Sequence, residues 1–264
     1  MRIEEKFEEL RRKREGVLIG FITAGDPEPK QTLKIVQALI RGGIDIIELG
    51  LPFSDPIADG LVIQKASERA LKAGMNPDLF FKLAKKIKGI PKVCLTYYNL
   101  VLQRGLKEFV QDCQQAEISG LIVPDLPIEE AKPLLNFCPN YGVDLIFLVA
   151  ATTTEKRLKN ILRFSQGFLY VVSLLGVTGV REKLSESIKP LITKIKKFSP
   201  QIPLAVGFGI SKPEHIREVI LAGADGVIVG SAFIKLIEKN LNNKKKMVSE
   251  LENFTRKLKK ATMV

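Results

Sequence analysis

Glu48 stands near the end of the run IDIIELG at 44–50, and Asp55 and Asp59 follow in the segment PFSDPIADG at 52–60. A carboxylate enclosed by apolar side chains loses hydration, which raises its pKa toward the range useful for general acid–base work. Glu48 is therefore a candidate proton carrier; the alternative is a strand-end glutamate paired with a backbone N–H or a lysine. Asp55 precedes Pro56 and Asp59 precedes Gly60, and aspartates in such loops commonly cap their own turns. Both readings stay open for these two residues.

Glycines supply the second feature. Gly207 and Gly209 fall in GFGIS at 207–211, and Gly230 and Ser231 open a helix-patterned segment. Glycine lets backbone N–H groups approach an anion, and a helix N-terminus adds partial positive charge, so the two loops suit a phosphate. Tight packing of strand on helix is the alternative. Gly176 and Gly179 bracket Thr178 in a segment at 175–184 that reads as a lid with glycine hinges, or as an ordinary surface loop.

Absences narrow the reaction. The only histidine, His215, falls inside a helical segment, and the three cysteines, Cys94, Cys113 and Cys138, are too few and too widely spaced for a disulfide framework or a four-ligand zinc site. The sequence therefore predicts no metal. No lysine ends an apolar run, and Lys92 precedes one, at the wrong face for a Schiff base. Carboxylate acid–base chemistry on a phosphorylated substrate remains.

Such residues need a scaffold. The chain has 264 residues, 45% of them hydrophobic, with 41 Lys+Arg against 29 Asp+Glu and a formal charge of +12. That is the composition of a globular protein, not of a disordered one. Residues 235–264 carry much of the positive charge, but apolar residues interrupt it without an aromatic platform, so a solvated helix face is expected rather than a nucleic-acid or membrane surface. The charged N-terminus and the lack of any apolar stretch approaching about 18 residues predict a cytoplasmic protein with no membrane span.

Eight short apolar runs, at 17–22, 44–50, 93–97, 120–124, 143–150, 169–174, 203–209 and 226–230, alternate with helix-patterned segments. Near-continuous apolar runs are what parallel strands covered on both faces look like. The pattern predicts an α/β fold with a single (β/α)8 TIM barrel over residues 1–264, with helices at 30–41, 62–73, 78–88, 106–117, 129–137, 155–164, 185–197 and 213–222. Extra amphipathic segments at 3–14 and 244–260 would cover its bottom or its outside. An open doubly wound sheet would carry a glycine-rich dinucleotide loop after its first strand, and GFITAGDP at 20–27 does not fit that pattern. In a barrel, reacting groups come from the C-terminal strand ends, with phosphate at the loops after strands 7 and 8.

The stretch ELGLPFSDPIADG at 48–60 closely resembles the signature of the tryptophan synthase α subunit. The similarity extends through GFITAGDP at 20–27, Tyr98-Asn99, PDLP at 124–127, GVTG at 176–179, GFGI at 207–210 and Gly230-Ser231. Ser173, Leu174 and Leu175 depart from the smaller or more polar segment of many relatives. The resemblance implies a lyase of tryptophan biosynthesis that cleaves indole-3-glycerol phosphate to indole and glyceraldehyde 3-phosphate. Glu48 would be the acid–base residue and Asp59 the partner of the indole N–H. Phe21, Leu100, Tyr170 and Phe208 would line the indole pocket, Gly179, Gly207, Gly209, Gly230 and Ser231 would surround the phosphate, and Thr178 would reach the Asp59 loop on closure.

The resemblance also implies an α2β2 complex with a tryptophan synthase β chain that carries pyridoxal phosphate, and no cofactor in this chain. Two alternatives stand: another phosphate-binding barrel such as indole-3-glycerol phosphate synthase, and a catalytically weak barrel that serves as an allosteric partner of a β chain.

Overall fold

A computed structural model describes residues 2–172, 184–207 and 209–263. In chain order its elements are α1 (Ile3–Arg12), β1 (Val17–Thr23), α2 (Pro29–Gly42), β2 (Ile46–Gly50), α3 (Leu61–Lys72), α4 (Pro77–Lys86), β3 (Lys92–Leu95), α5 (Tyr98–Arg104), α6 (Leu106–Gln115), β4 (Gly120–Ile122) and α7 (Lys132–Leu135). There follow β5 (Asp144–Ile146), β6 (Leu148–Ala150), α8 (Glu155–Phe164), β7 (Leu169–Val172), α9 (Leu184–Phe198), β8 (Leu204–Gly207), α10 (Pro213–Leu221), β9 (Gly226–Val229), α11 (Ser231–Lys239) and α12 (Lys244–Lys260).

All pairings between these strands are parallel and run in the order β5-β4-β3-β2-β1-β9-β8-β7-β6. Only Phe147 separates β5 from β6, and its carbonyl accepts from Tyr170 N at 3.0 Å. The expected fifth strand thus changes partner midway, from β4 to β7, and the sheet closes through the chain itself. This is the expected eight-stranded barrel, with all eight apolar runs in place.

Period-two alternation sorts the side chains. Ile19, Ile46, Val93, Ile122, Ile146, Ala205 and Ile228 pack together with Ile3, Phe7 and Leu10, so α1 stoppers the N-terminal end of the barrel. Their alternates, among them Leu18, Ile47, Cys94, Leu121 and Val206, meet the helical layer. The last segment, α12, lies outside against α2 and α11. Local caps agree with the chain's punctuation: Asn76 accepts from Leu79 N at the start of α4, and Asn243 from Lys246 N at the start of α12. No helix among the described residues is long and apolar enough to cross a membrane.

Two expectations are corrected. The helix at 129–137 shrinks to α7, because a helix through that span would put Pro133 in its interior, where it has no N–H to give and clashes with the preceding turn. A helix not expected, α5, follows β3; its first N–H, on Tyr98, donates to the Asp125 carboxylate at 2.9 Å. Its start signal therefore comes from the loop after β4 and not from neighbouring sequence. Lys92 is the first residue of β3, where its buried Nζ donates to the carbonyls of Ala84 and Ile87 at 3.0 and 2.8 Å. It caps α4 on the helical side, away from the barrel's interior.

Candidate active site

Alternation along β2 puts Glu48 on the same face as Ile46, pointing into the barrel one layer nearer its mouth. In the parallel register Glu48 stands opposite Phe21 on β1 and Val93 on β3. Above the packed layer lies a cavity of about 610 Å³ lined by Phe21, Glu48, Asp59, Tyr170, Gly209 and Gly230, among others. Leu95, Ile122, Leu148 and Ile228 complete its apolar wall. A largely apolar chamber of this size with a few convergent polar groups is the expected form of a small-molecule site.

Glu48 is 1% exposed, and its Oε2 has no hydrogen-bond partner among the described residues. Burial raises its pKa to about 8, and the nearby Asp59 charge adds to the effect. At neutral pH Glu48 is therefore a protonated acid with a proton to give. Asp59 is half-buried: desolvation raises its pKa, and a hydrogen bond from Tyr97 works the other way. Burial thus raises both carboxyls, and the Tyr97 hydrogen bond holds Asp59 back while the Asp59 charge pushes Glu48 further up.

The Asp59 loop is held by groups that sequence reasoning did not single out. The phenol of Tyr97, 2% exposed, donates to Asp59, and its oxygen accepts from Ala58 N at 3.1 Å. The Tyr97 ring stacks on Phe53 at 5.4 Å between centroids. From α3, Gln64 Nε2 donates to the Asp59 carbonyl at 2.7 Å. The only signal for Tyr97 was its place just past the end of a strand, where a phenol meets the barrel mouth. Asp55 takes the structural reading: it is exposed, bonds Ser54 Oγ at 2.5 Å and does not line the cavity.

At the opposite wall, Gly209, Ile210 and Ser211 face Gly230, Ser231 and Ala232 across the same cavity. Gly209 has φ +76°, a conformation that favours glycine. No side chain caps the N-terminus of α11, which leaves first-turn N–H groups available to an anion. Lys235 and Lys239, on later turns of α11, also reach the cavity lining; the sequence reading did not include them.

Phe21, Tyr170, Gly209, Gly230 and Ser231 thus join Glu48 and Asp59 around one cavity. Leu100, half-buried on α5, and Gly207, the last residue of β8, are not among its lining residues. Thr178, Gly179, Phe208 and the expected lid lie outside the described residues. A Cβ placed on Gly207 would fall 2.3 Å from Tyr170 Oη, so this glycine makes room for the Tyr170 ring. Gly207→Val should therefore push Tyr170 from its place and destabilise the fold by about 1–3 kcal/mol, the usual penalty of overpacking. Denaturant unfolding of the two proteins checks this.

The family model described as Tryptophan synthase alpha chain matches residues 7–263. The chain belongs to the tryptophan synthase alpha chain family. The Methanocaldococcus jannaschii tryptophan synthase alpha chain is 54% identical over 92% of this chain and 86% of its own length. The crystal structure of the Legionella pneumophila alpha chain superposes with a TM-score of 0.89 at 33% identity, covering 98% of this chain and 96% of that one. A chain of the Pyrococcus furiosus tryptophan synthase complex gives 0.82 at 35%, over 92% and 98%. Among tryptophan synthase alpha chains, then, this one carries its two carboxyls and its glycine loops at a single cavity.

Proposed function

We propose that this cavity binds indole-3-glycerol phosphate and cleaves it to indole and glyceraldehyde 3-phosphate, with Glu48 and Asp59 as the catalytic residues. Membership of the tryptophan synthase alpha chain family makes the chain a lyase of tryptophan biosynthesis. The observation that carries the residue roles is the pairing of a buried Glu48, protonated at neutral pH and with an Oε2 that has no partner among the described residues, with a second carboxyl in the same cavity.

Glu48 gives its proton to indole C3, which makes the ring cationic and turns it into an electron sink. Asp59 accepts the ring N–H and stabilises the positive charge that develops there. The resulting Glu48 carboxylate then takes the proton of the hydroxyl on the attached carbon. As the carbon–carbon bond breaks, its electron pair returns to the ring and the hydroxyl carbon becomes the aldehyde. Glu48 ends as it began, and neither a Schiff base nor a metal is needed for these steps. The apolar wall takes the indole, while the loops after β8 and β9, Gly209 to Ser211 and Gly230 to Ala232, take the phosphate on backbone N–H groups.

The direct test is release of indole from indole-3-glycerol phosphate by the purified chain, alone and with a β chain. Turnover too slow to measure in either state would leave only the reading as an allosteric partner. The phosphate assignment has its own check. Gly230→Val puts a side chain between the loop and the anion, and its Cβ would already lie 3.2 Å from Phe21. Indole-3-propanol phosphate should bind at least about tenfold more weakly, roughly the 1.4 kcal/mol of one good contact, as read by calorimetry; unchanged affinity would move the phosphate elsewhere.

The same proposal has the partner dock at the barrel mouth. Ile57 and Leu61, next in sequence to the cavity-lining Ala58 and Gly60, and Leu102 on α5 are 81%, 74% and 50% exposed, and exposed apolar residues beside a functional opening suit a protein surface. A β chain docked there, in an α2β2 assembly, would supply the pyridoxal phosphate chemistry that consumes indole. The Pyrococcus furiosus relative comes from a tryptophan synthase complex. Three buried free thiols, Cys94, Cys113 and Cys138, fit a reducing compartment, the cytoplasm.

A further inference from the structure

Where the loop after β1 meets α3 and α11 lies an ion cluster for which the proposed reaction has no use. Asp26, in the loop after β1, has a side chain with 0% exposure. Arg69 on α3 meets it as a fork: Nε donates to Oδ1 at 2.7 Å and Nη2 to Oδ2 at 2.9 Å. The remaining arm, Nη1, donates to Glu238 Oε1 on α11 at 3.3 Å. A guanidinium suits this task because its planar fork can hold two groups in fixed relative positions, which an ammonium cannot.

Each end of the cluster leads into the cavity. Along α3, one turn and a half before Arg69, Gln64 holds the Asp59 carbonyl, and the helix itself starts two residues after Asp59. Along α11, the helix that carries Glu238 begins at Ser231, beside Gly230 in the phosphate wall. The two helices also pack on each other. Arg69 therefore ties the helix behind the indole-side carboxylate to the helix whose N-terminus faces the phosphate.

Resting on the reaction proposed above, we propose that Arg69 is a positioning residue that couples the two ends of the site, so that phosphate bound at the head of α11 favours the placement of Asp59 against indole. Such coupling is reciprocal, and factors of about 5 to 150 are usual. A group that only stabilises the fold would change the melting temperature and leave the coupling untouched.

The test measures the dissociation constant of indole for the full-length chain with and without saturating glycerol 3-phosphate, well below the melting temperature. In the wild type the phosphate compound should tighten indole by about tenfold. Arg69→Lys keeps a positive charge beside Asp26 but loses the fork; it should reduce that factor to about twofold or less, and lower kcat for indole-3-glycerol phosphate more than it raises KM. Should Arg69→Lys not fold, Glu238→Gln, which leaves the buried pair intact, is read by the same criterion. A wild-type factor in the variant overturns the inference. So does the absence of coupling in a wild type that still releases indole, and in that case the reaction stands. A wild type that neither binds the probes nor releases indole overturns both.

Discussion

Replacing Glu48 with Gln should leave a chain that still binds indole-3-glycerol phosphate but releases indole about 10²- to 10⁴-fold more slowly, the usual worth of a positioned proton carrier. The amide fills the same space in the barrel and has no proton to transfer, so steady-state turnover separates chemistry from binding. Retention of a tenth or more of wild-type turnover would remove Glu48 from the role of acid. The same residue dictates pH behaviour. Its acid form is the active one, so wild-type turnover should decline as pH rises past about 8.

Stability should follow the same group, with a definite sign. Between the ordinary value of 4.5 and about 8 the folded chain holds the Glu48 proton and the unfolded chain has released it. The folded state then binds more protons, so stability falls as pH rises through that window, by roughly 4–5 kcal/mol in all, and levels off above it. Glu48→Gln lacks this slope. The two proteins should therefore unfold at similar denaturant concentrations at pH 5, with the variant the more stable at pH 9. The catalytic acid is thus held at the expense of stability, as expected of a carboxyl buried away from water.

Much of this was legible in the sequence, for reasons that can be named. Strands buried on both faces need no alternation of polar and apolar residues, so each appears as an uninterrupted Val/Ile/Leu run, and all eight runs became barrel strands. Glu48 was visible because it breaks that rule at the end of such a run. The features that escaped share another property, which is that their partners are remote. The start of α5 is set by Asp125 across 27 positions, the Asp59 loop is gripped by Tyr97 across 39, and Arg69 reaches Asp26 across 43. No local pattern encodes a bond made by the barrel's closure. The helix expected at 129–137 shortens for a local reason instead, because Pro133 has no N–H to give and is accommodated only at a helix start.

Asp59→Asn is the substitution that separates the two carboxyls. Asn can still accept the indole N–H through its amide oxygen, so binding of indole-3-propanol phosphate should change little. The charge that stabilises the cationic ring is gone, and loss of one such electrostatic contact costs about 10²- to 10³-fold in turnover. The turn itself should survive, because Gln64 holds the Asp59 carbonyl and Tyr97 accepts from Ala58 N, neither through the Asp59 carboxylate. A second consequence follows from the electrostatics. The Asp59 charge is one of the two causes that raise Glu48, so its removal should let Glu48 ionise more easily and move the alkaline limb of the pH–rate profile to lower pH. Steady-state kinetics of the variant across pH 6 to 10 reads both effects. A lowered rate with an unmoved limb would show that the carboxyls act without sensing each other, and an unchanged rate would return Asp59 to a structural part in its loop.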